Sequence, residues 1–164
     1  MLNSRFFQAF CTAMLLMAFQ LPTQAASASI ELKSTAEREI TVEKNGKKEI
    51  HRIAVDKALP GDEIIYTTTF KNMLNKPAGD IVITNPVPND SVYKGGSATG
   101  KNMVITFSVD GGQTYATPDK LAVKTTDGKT RPALAADYTH LRWIYQGMLG
   151  AGKSGEVNFR AVIK

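Results

Sequence analysis

The sequence predicts an all-β domain, an immunoglobulin-like β-sandwich of about seven to nine mostly antiparallel strands, behind a helical export signal. Three observations predict it. Apolar residues recur with a period of two, turn-forming residues separate the periodic segments, and a short apolar run stands at the N-terminus.

The N-terminal run comes first in the chain. Arg5 precedes an apolar stretch from Phe6 to Phe19 in which Gln8 is the one strongly polar residue. A membrane-spanning helix needs about 20 apolar residues, whereas a basic start, a shorter apolar core and small residues at the exit describe a signal peptide. Pro22 breaks the run, and Thr23 and Ala25 place small residues three and one before a cut after Ala25; Ala26-Ser27-Ala28 offers a later cut after Ala28. Cys11 is the single cysteine and sits in the middle of the run rather than at its end, which argues against lipid attachment and leaves the processed chain without a disulfide.

Removal of the first 25 of 164 residues leaves 139, enough for one domain with a real core. Residues 26–36 read as a loose or edge-strand lead-in and residues 37–164 as the sandwich. The chain's formal charge of +5 falls to +4 once Arg5 is gone, and the lysines are scattered among acidic residues with Lys47-Lys48 as an adjacent pair. No basic patch of the kind that holds nucleic acid is present in the sequence.

Each strand follows from alternation. Met103, Ile105, Phe107 and Val109 share one face; so do Ile64, Tyr66, Thr68 and Phe70, then Leu141, Trp143 and Tyr145, then Val157, Phe159, Ala161 and Ile163. Asn45-Gly46 is the strongest hairpin signal and pairs 38–43 with 48–55, because both central positions of such a turn favour positive φ. Pro60-Gly61-Asp62 opens the next strand, Pro86-Val87-Pro88-Asn89-Asp90 closes the one at 79–85, and Asp110-Gly111-Gly112 turns 103–109 back towards Tyr115. Residues 132–139 have room for one helical turn, and helix content is otherwise expected to be low.

These residues carry a resemblance. Pro60-Gly61-Asp62 before the Tyr66 strand, Phe70-Lys71-Asn72, Ile83-Thr84-Asn85-Pro86-Val87-Pro88, Gly96-Ser97, and the late Gly147, Leu149, Gly152 and Ser154 before a last strand resemble the bacterial conserved-repeat domain of unknown function number eleven, over residues 28–164. The resemblance implies an immunoglobulin-like sandwich of surface, secreted and envelope proteins, without catalytic residues to carry over. Such domains often stand in tandem in long chains; one domain behind its own signal counts against a plain spacer.

Two motifs invite a different reading. Gly147-Met148-Leu149-Gly150-Ala151-Gly152-Lys153-Ser154 matches a nucleotide-binding loop, but the segment after Gly155 alternates as a strand where a phosphate site needs a helix. Ser108-Val109-Asp110-Gly111-Gly112-Gln113-Thr114-Tyr115 resembles the Asp-box hairpin, a structural turn. His51 and His140 lack partners at ligand spacing, and Asn89-Asp90, Asp110 and Asp127 sit where turns use such residues anyway, so neither a transition metal nor calcium is expected. Asn158, out of phase with Val157 and Phe159, faces away from any sheltered isopeptide bond, and Trp143 with Tyr145 reads as core rather than as a sugar platform.

No enzyme, cofactor, nucleotide or nucleic-acid partner is therefore expected, nor a membrane span after signal removal. The leading expectation is an exported structural or protein-interaction module of the periplasm, cell surface or medium, whose partner is another envelope or surface protein. The alternative is a glycan or cell-wall-polymer binder using the loops at 89–102 and 110–130. Export is expected to leave a chain starting at Ala26, measured by intact mass; a start at Ser29 marks the later cut, and a mass retaining Met1 overturns the signal reading.

Overall fold

The structure, a computed structural model, describes residues 29–164; Cys11, the signal read at 1–25 and both candidate cuts lie outside the described residues. Eleven strands follow in order: β1 (Ile30–Lys44), β2 (Lys47–Ala54), β3 (Glu63–Asn72), β4 (Val82–Pro86), β5 (Ser91–Tyr93), β6 (Thr99–Gly100), β7 (Met103–Ser108), β8 (Ala122–Lys124), β9 (Thr130–Pro132), β10 (His140–Tyr145) and β11 (Ser154–Ile163). The surplus over the expected count lies in the two- and three-residue strands β5, β6, β8 and β9, too short to show a period in sequence. Single 3-10 turns occupy Pro118–Lys120 and Ala135–Asp137, the second inside the stretch expected to hold one.

All pairings among the described residues are antiparallel. One sheet runs β2-β1-β3-β11-β5 with β6 also on β11, a second runs β4-β10-β7, and β8 pairs with β9 as a short ribbon. The two larger sheets share one apolar core. Phe70, Val157, Phe159 and Ala161 from the first meet Ile83, Phe107, Leu141 and Trp143 from the second, as the period of two requires. Trp143 has no exposed surface, sits with its ring centroid 6.2 Å from that of Phe159, and donates its indole N–H to Thr99 O at 3.1 Å. Tyr145 meets Phe70 edge-on at 5.9 Å, so the aromatic pair fills the core.

Buried polar groups are tied across the same space. Thr68 Oγ1 lies 3.0 Å from Ser34 Oγ and accepts from Asn85 Nδ2 at 2.8 Å, joining β1, β3 and β4. Asn72, fully buried at the end of β3, donates from Nδ2 to Lys76 O and Leu149 O at 2.8 Å and to Gly150 O at 3.2 Å, while Oδ1 accepts Leu74 N–H at 2.9 Å. A buried amide left unpaired costs about 1–3 kcal/mol, so this side chain fixes two loops at once.

The lead-in drawn at residues 26–36 ends inside a strand. β1 runs through the boundary at 36/37, pairing with β3 from Ile30 to Glu37 and with β2 from Glu37 to Lys44. The mostly polar run from Ser34 to Glu37 hides the continuity of that lead-in with the strand expected at 38–43.

Gly155 lies opposite Phe70 in the β3–β11 ladder, and a Cβ there would fall 2.2 Å from Phe70 Cζ. Gly155→Ala is therefore expected to destabilise the fold by about 2 kcal/mol, the cost of overpacking a close core contact, read as a lower urea midpoint with unchanged m-value.

Candidate functional site

The hairpin β1–β2 begins with its turn. Asn45 and Gly46 take φ of 53° and 73°, the conformation that a two-residue loop needs to match strand twist. Pairing then runs without a bulge from Lys44 opposite Lys47 to Glu37 opposite Ala54. β3 stops at Glu63, so the part of β1 beyond Arg38 has β2 as its one neighbour, and the ribbon projects about 20 Å past the body at ordinary strand rise.

Every residue of β2 is exposed. Ile50 shows 71% of its surface, Val42 38% and Ile53 36%. The side of β1 that faces the core over Ile30–Ala36 continues onto the arm as Arg38, Ile40, Val42 and Lys44, with Ile53, His51 and Glu49 across from them, and no other strand covers it. A two-stranded ribbon with apolar side chains in water is marginal by itself.

A charge clamp holds its base. Arg160 on β11 reaches Glu39 through Nη2 at 2.8 Å and Glu63 through Nη1 at 2.9 Å; Lys94 Nζ meets Glu63 at 2.5 Å, Arg52 Nε lies 3.5 Å from Glu39, and Arg38 Nη1 lies 3.7 Å from Asp62. The turn that returns the chain to β3 closes alongside. Leu59 N–H donates to Asp62 Oδ2 at 2.9 Å, and Gly61, at φ 93°, donates to Ile163 O. The Arg160 guanidinium lowers the pKa of Glu39. Lys94 and then Arg160 lower that of Glu63, and the two carboxylates raise that of Arg160.

The other sequence candidates resolve into turns. The segment Gly147–Ser154 joins β10 to β11 and runs directly into a strand. Three of its amides have partners: Leu149 N–H donates to Ala78 O, Gly152 N–H to Asn72 O and Lys153 N–H to Gly150 O, while the Leu149 and Gly150 carbonyls face the Asn72 amide. A phosphate cradle needs free N–H groups ahead of a helix; here Gly152 and Lys153 N–H are engaged and a strand follows. Asp110 accepts from Ser108 Oγ at 2.6 Å, Thr114 Oγ1 at 2.5 Å and the Gln113 and Thr114 amides at 3.0 Å. Those donors, Ser108 first, hold its carboxyl far below the usual range. Tyr115 lies under the Arg142 guanidinium at 3.5 Å.

His51 sits 3.2 Å from Glu49 and His140 the same distance from Thr139 Oγ1. Asp127 accepts from Thr125 Oγ1 and pairs with Lys129, and Asn158 accepts from Thr99 Oγ1 on the outer face. Among the described residues no three His, Cys, Asp or Glu side chains gather at metal-binding distance. An apolar cleft of about 380 Å³ opens beside Tyr93, Ile105, Phe107, Pro118, Ala135 and Tyr138. Its aromatic rings pack on one another, Phe107 on Tyr138 at 4.5 Å and Tyr93 on Tyr138 at 5.8 Å.

Sequence reasoning located the hairpin and missed the clamp. Glu39 opposite Arg52 follows from the hairpin register, whereas Arg160 lies 121 residues from Glu39 and no local pattern links them. No protein-family model matches this chain, and no curated protein matches it.

The clamp has a pH signature. A carboxylate whose folded pKa is lowered stabilises the fold above its ordinary value, here 4.5, and loses that contribution as pH falls through the folded value. Melting temperature is expected to drop as pH falls from about 5 to about 3, and Arg160→Met is expected to flatten that drop; an unchanged slope would remove the clamp from the stability account.

Proposed function

We propose that this protein is a non-catalytic exported module that docks on another envelope or surface protein through the edge of its projecting hairpin. The observation that carries this reading is the arm: two strands outside the body, β2 exposed at every residue and β1 at all but Ile40 beyond Arg38, with backbone donors and acceptors unpaired on the β2 side. An unprotected edge is a template for a further strand, and main-chain pairing of this kind supplies affinity while alternate side chains supply choice of partner. The immunoglobulin-like class of the sandwich and the resemblance to the conserved-repeat domain belong to the same proposal, as do export by the N-terminal signal and residence in the periplasm, at the surface or outside the cell. Two sheets around one aromatic core support the class.

The glycan-binding alternative rests on the apolar cleft beside Tyr93 and Tyr138. Both rings are nearly buried and engaged with neighbouring aromatics, which leaves little face for a sugar to stack on.

The test compares the exported chain with a variant in which residues 39–52 are replaced by Asn-Gly, each immobilised against envelope extract and each applied to a glycan array. The near-ultraviolet signal of Trp143 reports that the body is intact. Protein capture by the native arm, lost on truncation, with a silent array is the expected result. Reproducible sugar binding without protein capture overturns the proposal.

A further inference from the structure

The edge of β2 carries more information than its exposure. Val55 N–H donates to Ala36 O at 3.1 Å, and in an antiparallel pair every second residue of a strand bonds to the same neighbour. Residues 47, 49, 51, 53 and 55 therefore turn their backbone groups to β1. The N–H and C=O groups of Lys48, Ile50, Arg52 and Ala54 point out to solvent. No proline, glycine or bulge interrupts this row.

We infer that the free edge of β2 pairs with the same edge of a second copy of this chain, antiparallel, with His51 opposite His51 of the other copy. This deepens the docking reading and rests on it in taking the arm as the docking element. Symmetry and charge select the register. A two-fold axis perpendicular to the shared sheet pairs residue i with a residue of the same face, so the two numbers add to an even sum. Centring on Glu49 sets two glutamates face to face, centring on Ile50 sets Lys48 against Arg52, and centring on Arg52 opposes two arginines; like charges directly opposite are destabilising. Centring on His51 avoids all three; centring on Ile53 also does, but leaves only Arg52 opposite Ala54 and Ile53 opposite itself within the strand. The His51 register sets Ile50 against Arg52, Glu49 against Ile53, Lys48 against Ala54 and Lys47 against Val55, and it places each Glu49 diagonal to the other copy's His51.

A second copy also supplies what the arm lacks. About eight backbone hydrogen bonds join Lys48, Ile50, Arg52 and Ala54 to their mates. The ribbon becomes the four-stranded order β1-β2-β2-β1, past the three strands that a sheet needs for independent stability. Ile40, Val42 and Ile53 of both copies then lie on one face, with the paired His51 and the two Glu49 side chains between them.

The test uses the exported chain, free of Cys11, with single cysteines introduced at two positions. In the inferred register His51 occupies a non-hydrogen-bonded pair, the closer of the two pair types and within disulfide reach. His51→Cys is expected to give a covalent dimer under mild oxidation. Ile53→Cys, opposite Glu49 rather than itself, is expected to give at least about tenfold less. Sedimentation of the native chain at about 100 µM is expected to show a reversible dimer. Ile50→Lys adds a positive charge opposite Arg52 twice per dimer and is expected to weaken dimerisation by about tenfold, while Ile50→Glu strengthens it. Ile50 is so exposed that neither change threatens the fold.

Equal crosslinking at both cysteines overturns the register. A native chain that stays monomeric while its arm still captures an envelope protein overturns self-pairing and leaves the docking reading standing. Loss of both dimer and arm-dependent capture overturns both.

Discussion

The continuity of β1 is the constraint on which the rest of the molecule depends. Fifteen residues from Ile30 to Lys44 run as one strand without glycine, proline or bulge, so its inner and outer halves share one direction. The inner half is fixed by β3 and through it by β11; the outer half inherits that orientation and carries β2 into solvent. No hinge separates arm from body. The clamp of Arg160 on Glu39 and Glu63 sits where β3 begins and β1 goes on with β2 as its one neighbour, the point at which a strand losing its other neighbour would otherwise fray.

The core and the arm divide the physical work. Around Trp143, Phe159 and Phe107 the two sheets bury aromatic surface, the dominant favourable term in a chain of this size. The polar ties within that core, Thr68 with Ser34 and Asn85 and Asn72 with three carbonyls, fix the alignment of sheets and loops rather than add bulk stability. The arm has neither a core nor such ties. Its order comes from the tight turn, the ladder to β1 and the charges at its base.

Much of the fold was legible because a strand with one buried face writes its period into the sequence. The faces of β3, β7, β10 and β11 follow from alternation, and the Asn45-Gly46 turn sets the hairpin register directly. What stayed hidden has physical causes. The start of β1 is polar because there it is itself the edge of the sheet, with β3 as its one neighbour, so residues 26–36 read as a loose or edge-strand lead-in rather than as the first half of one long strand. The isolation of the arm is also unreadable: Ile40 and Val42 alternate as core residues do, and whether another sheet lies over them is a tertiary fact. The clamp joins residues from distant strands, beyond the reach of any local pattern.

One consequence of the long strand concerns force. A pull on the arm's tip is shared by β1 and β2, and the part carried along β1 enters the body parallel to the β1–β3 ladder. The ladder bonds from Ile30 to Glu37 are then loaded together in shear, instead of opening one after another as in a hairpin pulled apart at its ends. A partner held at the tip of this arm is thereby mechanically coupled to the sheet that carries the core.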